Sequence, residues 1–133
     1  MLAWKELPSP ARPCLVLAHA DPLYAALIRQ IFLRLRWDVY VTSSGTKARE
    51  LAAELAPALV VLDTGLPDES GWLACAKITQ ENAARRVILL AADRSPETAY
   101  RLASVNAAAL VTRHEDIEVL AETILGQRLA QAI

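Results

Sequence analysis

Five short strand-like runs, each followed by an amphipathic stretch, do most to narrow the folds open to this chain. They are Cys14–Ala18, Asp38–Thr42, Ala58–Leu62, Val87–Leu90 and Ala108–Val111. Most are continuous in apolar character rather than alternating, as expected of parallel strands covered on both faces. The stretches between them have helical punctuation. Asp21-Pro22 opens a helix to about Arg36, with Asp21 as its N-cap and Leu23, Leu27, Ile31 and Leu35 recurring every four residues. Ser44 to Ala56 reads as a second helix ended by Pro57, and Gly71 to about Asn82 as a third. Ser95-Pro96-Glu97 starts a fourth, an N-cap followed by proline, and Asp116 to about Ala130 makes the last. Five strand–helix units with short connections predict an α/β domain built on a single doubly wound, five-stranded parallel sheet.

The size of the chain agrees with one domain. Its 133 residues, 54% of them apolar, are enough for a sizeable core. Residues 1–13, with Pro8, Pro10 and Pro13, read as a flexible leader, and 14–133 as the folded unit. No run approaches the roughly 18 apolar residues of a membrane span. A net charge of −1 with interspersed signs gives no footprint for nucleic acid. Cys14 and Cys75 lie in apolar segments without metal-ligand spacing, which predicts buried, reduced thiols and a cytoplasmic location.

Chemistry is signalled where the third apolar run ends. Leu59-Val60-Val61-Leu62 stops at Asp63, and the loop Thr64-Gly65-Leu66-Pro67-Asp68-Glu69-Ser70-Gly71 follows. Open α/β sheets place their sites at this lip. The loop and the order of units resemble the receiver domains of bacterial response regulators, over about Cys14 to Ile133. That resemblance implies flavodoxin-like topology, a role in two-component signal transduction, and Asp63 at the phosphoacceptor position. Counting back from Pro22 places His19 and Ala20 at the family's two acidic positions, with Asp21 in the intervening slot. The intervals from Ala20 to Asp63, on to Ala91 and on to Arg113 keep the family's register without a gap.

The same register exposes the departures. The acid pair of a receiver holds Mg²⁺, a hard cation that wants oxygen ligands. Here His19 offers nitrogen and Ala20 nothing, leaving Asp63, Asp21 and the Gly65 carbonyl as the implied metal ligands. The hydroxyl position at the end of the fourth strand is Ala91. The lysine position is Arg113, followed by His114 instead of proline, and a guanidinium fork is not interchangeable with an ammonium. The aromatic switch position is Leu110. The chain therefore resembles an atypical, degenerate receiver that is not an enzyme and acts by protein–protein contact without phosphorylation.

Alternatives remain open at this stage. Asp63 is either a relic carboxylate, paired with Arg113 or loop amides, or a working phosphoacceptor with a rebuilt Mg²⁺ site using Asp21 and Arg113. His19 is either a pH-sensitive group or a strand-end residue hydrogen-bonded to Asp63. With His114 it makes a candidate transition-metal site, and the vacated acid pocket a candidate ligand site. The absence of a glycine-rich loop after the first strand argues against flavin or dinucleotide. Trp37 and Trp72 read as partly buried packing residues. Expected partners are a histidine kinase, an output domain or another signalling protein. A homodimer through the last two helices is also expected, using a face that includes Tyr100, Leu102, Leu110, Val111, Val119 and Leu120.

Overall fold

A computed structural model describes residues 12–112, 119, 121–123 and 126. Strands β1 (Cys14–Ala18), β2 (Asp38–Thr42), β3 (Leu59–Asp63), β4 (Val87–Ala91) and β5 (Ala109–Thr112) form one parallel sheet in the order β2-β1-β3-β4-β5. This is the flavodoxin-like order, with its switch point between β1 and β3. The fold expectation holds, with both ends of β3 and β5 and the last residue of β4 displaced by one residue toward the C-terminus. Helices α1 (Pro22–Arg34), α2 (Gly45–Leu55), α3 (Gly71–Glu81) and α4 (Pro96–Ser104) follow the first four strands. Residues 1–11 of the leader expected over 1–13, and most of the last helix expected over 116–130, with Leu120, lie outside the described residues.

Because successive strand residues point to opposite faces, each central strand feeds two cores. Leu59 and Val61 of β3 pack on the α1 side, with Ile88 and Leu90 of β4. Val60 and Leu62 pack on the α2–α3 side, with Val87 and Leu89. All five residues of β3 and of β4 are buried, which is why these runs are continuous rather than alternating.

Helix punctuation follows the sequence. Asp21 caps α1, its side chain accepting from the Leu23 and Tyr24 amides, and Pro22 stands in the first turn. Ser44, Ser70 and Ser95 cap α2, α3 and α4 in the same way. Helix α2 ends at Ala56 in the left-handed region (φ 47°), immediately before Pro57.

Two expectations are corrected. The every-fourth-residue stripe of α1 is not its core face: Leu23 and Leu27 are 77% and 55% exposed, while Ala25, Ile28 and Phe32 are buried. Trp37 is not a half-buried packing residue but 1% exposed. Its ring meets Phe32 edge-on, with centroids 5.5 Å apart. The chain reverses at Arg36 (φ 66°), and the Trp37 amide bonds the Phe32 carbonyl, which turns the indole under the end of α1.

Candidate functional site

Parallel strands bring their C-terminal ends to one edge of the sheet. Ala18 pairs with Leu62, so His19 and Asp63 lie side by side just beyond; Ala91 ends the neighbouring β4. His19 extends the ladder by donating its amide to the Thr42 carbonyl at 3.0 Å. His19, Asp63 and Ala91 are buried, at 6%, 3% and 5% exposed.

The imidazole is oriented by its own chain. Its Nδ1 accepts the Asp21 amide at 2.9 Å, which requires a lone pair there and places the proton on Nε2. That Nε2 stands 3.8 Å from Asp63 Oδ2. The distance is beyond hydrogen-bonding range, so the expected His19–Asp63 hydrogen bond is replaced by a longer electrostatic contact. Tyr24 stacks on the other side of the imidazole, with centroids 4.7 Å apart and planes 24° from parallel. The second carboxylate oxygen of Asp63, Oδ1, accepts the Gly65 amide at 3.3 Å.

The remaining positions offer little to a phosphoryl group or a hard cation. The exposed carboxylate of Asp21 is committed to the first turn of α1, with its Oδ1 3.0 Å from the Leu23 amide. Ala20 brings no donor or acceptor on its side chain, and Ala91 no hydroxyl. Leu110 is half-buried against the α2–α3 core, in register with Leu89. Arg113 and His114 lie outside the described residues. Mg²⁺ prefers a near-octahedral oxygen shell. Asp63 brings a carboxylate to this lip, but beside it the described residues offer an imidazole nitrogen and two methyl groups, and these do not fit the ion. Among the described residues, no group of three or more His, Cys, Asp or Glu could hold a metal ion.

The loop after Asp63 is fastened by contacts that sequence reasoning missed. The Asp68 carboxylate reaches the start of α2, accepting from Ser44 Oγ at 2.6 Å and the Gly45 amide at 2.8 Å. Those bonds hold its carboxyl far below the usual carboxylate range. Glu69 is buried and bridges two helices, with Oε2 2.6 Å from Arg49 Nε and Oε1 2.7 Å from Lys77 Nζ. Burial pulls the Glu69 carboxyl upward, but the hydrogen bonds and charges of Lys77 and Arg49 outweigh it and hold the group below its ordinary value. Close approach also fixes two glycines. A Cβ on Gly45 would collide with the Glu69 carbonyl, and one on Gly71 with the carbonyl of Asp63 itself. Nothing local in the sequence identifies Arg49 and Lys77 as partners of Glu69, because they lie on two different helices.

The model of the response regulator receiver domain family matches residues 15–125. The chain belongs to that family. Solved receivers agree in fold. The signal receiver domain of a protein described as a Luxo repressor, from Vibrio parahaemolyticus, superposes with a TM-score of 0.82 at 24% identity, covering 90% of this chain and 92% of that one. A LuxR-family DNA-binding response regulator from Staphylococcus aureus gives 0.78 at 24%, covering 87% and 98%. A CheY-like receiver domain protein from Methanospirillum hungatei gives 0.85 at 16%, covering 92% and 98%. No curated protein matches the chain. Family membership puts this receiver in two-component signalling. Among the described residues, no helix is long and apolar enough to cross a membrane.

Proposed function

We propose that this receiver works without an acyl phosphate on Asp63, as a cytoplasmic protein-interaction module rather than an enzyme. Its state is set by its level, by dimerisation or by a partner such as a histidine kinase, an output domain or another signalling protein. The observation that carries this reading is the surroundings of Asp63. The buried carboxylate faces the N–H edge of His19 where the family has acids, with methyl groups at Ala20 and Ala91. Phosphoryl transfer relies on charge neutralisation and positioning, and His19, Ala20 and Ala91 bring neither a carboxylate for a metal ion nor a hydroxyl to their positions. Tyr100 is 78% exposed on α4, which suits it to the contact face expected of the last two helices.

Intact mass spectrometry decides the matter. The protein is incubated with Mg²⁺ and acetyl phosphate beside Asp63→Asn, and no adduct is expected on either. A single phosphate on the parent chain, lost in the variant, would refute the proposal and establish a competent receiver with a rebuilt site.

A further inference from the structure

The end of the sheet opposite Asp63 holds an open cleft of about 730 Å³. Three turns build it: Pro57 and Ala58 ahead of β3, residues 83–86 ahead of β4, and residues 106–108 ahead of β5. Its floor is mostly alanine and proline, which leaves space instead of side chains. Two cations, Arg85 and Arg86, and the amide of Asn106 supply its polar groups. No acidic residue lines it among the described residues. Glu81 borders a separate, smaller groove that shares only Arg85 with this cleft.

Both arginines are half-buried. Neither side chain forms a hydrogen bond or ion pair with another described residue, and the Asn106 side chain forms none either. Helices α2, α3 and α4 all end nearby, and their carbonyl ends favour positive charge here. No described carbonyl accepts from either guanidinium, and neither is sealed from solvent, so their donors stay available to a ligand entering the cleft. The surrounding backbone is rigid. The Arg86 carbonyl accepts the Val60 amide at 2.9 Å, the Ala108 amide bonds the Val87 carbonyl at 2.8 Å, and the Ala84 amide bonds Asn82 Oδ1 at 3.0 Å.

We propose that Arg85, Arg86 and Asn106 form a binding site for a phosphate group, either the free ion or the monoester of a small molecule. Guanidinium forks match phosphate oxygens bidentately, and two fixed positive charges suit a dianion better than a carboxylate. The site is independent of the state of Asp63, because it lies at the other end of every strand.

An NMR titration of the ¹⁵N-labelled full chain tests it at constant ionic strength, with inorganic phosphate in one arm and glucose 6-phosphate in another. Saturating shifts confined to the amides of residues 83–86 and 106–108 are expected. Arg85→Gln with Arg86→Gln should weaken them at least tenfold while the rest of the spectrum stays in place. Should that double variant fail to fold, Arg85→Lys and Arg86→Lys keep the charge and lose the fork, and each should weaken binding severalfold. Saturation with only one arm assigns the source. Non-saturating or dispersed shifts, undiminished binding in the variants, or equal shifts with acetate would overturn the assignment.

Discussion

Substituting Glu69 by glutamine tests how the loop beside Asp63 is held. The carboxylate is 8% exposed and makes two short charge-assisted bonds, to Arg49 and Lys77. Glutamine keeps the shape but replaces one oxygen with an NH₂ group that must face a cation. Hydrogen bonds to charged groups contribute about 1.5–3 kcal/mol each. The cations are 26% and 40% exposed, so both recover some hydration once released, and the loss should be smaller than two full bonds. A destabilisation of about 2 kcal/mol is expected, which for a chain of this length corresponds to a Tm lower by roughly 6–10 °C. Urea denaturation of the parent, Glu69→Gln, Lys77→Met and the double variant should give a coupling of about 1 kcal/mol.

The sign with pH follows from the lowered carboxyl. Folding favours the ionised form of Glu69, so its contribution is fully present above the ordinary value of 4.5 and is lost as pH falls through the lower folded value. The gap in Tm between parent and Glu69→Gln should therefore hold constant from pH 8 to 6 and narrow below about 4.5. A coupling under about 0.3 kcal/mol, or a gap as wide at pH 3 as at pH 7, would refute the account of a buried, ionised latch.

Other outcomes follow from burial and contact. Leu27→Ala should change stability by no more than about 0.5 kcal/mol, whereas Ile28→Ala, one residue on, should cost about 2–5 kcal/mol in urea unfolding. Gly71→Ala should cost roughly 1–3 kcal/mol, since the new methyl meets the Asp63 carbonyl, and should alter the fluorescence of adjacent Trp72. Burial pushes the Cys75 thiol up to about 12, so peptide mapping after alkylation of the native protein at pH 8 should find Cys75 unlabelled until urea is added.

The parts of the fold that were legible are those written in local signals. The run ending in Asp63 announced a covered strand, and Asp21-Pro22 and Ser95-Pro96 announced helix starts, because capping and proline act within a few residues. The face of α1 was misread for a geometric reason. Four residues advance a helix by about 400°, an overshoot of about 40° each time, so a side chain at every fourth position winds around the helix. Leu23 and Leu27 begin that drift in water, Ile31 grazes the core, and Leu35 leaves it again. Ala25, Ile28 and Phe32, at three- and four-residue steps, keep the true seam, but an alanine and a lone phenylalanine are weaker markers than four spaced leucines and isoleucines.

At the site, topology was readable and orientation was not. Neighbouring parallel strands had to bring His19 beside Asp63, so their proximity follows once the order of strands is known. Their separation of 3.8 Å depends on a bond made two residues away, where the Asp21 amide claims Nδ1 and Tyr24 stacks on the ring. The same division applies to the loop. Its serines and glycines are local signs of a turn, while the partners of Glu69 lie 20 and 8 residues away on two different helices. A buried carboxylate between two cations is costly unless both are in place, and only the packed helices bring them together. The loop after Asp63 is therefore anchored through Asp68 to the start of α2 and through Glu69 to α2 and α3, by contacts made within this chain alone.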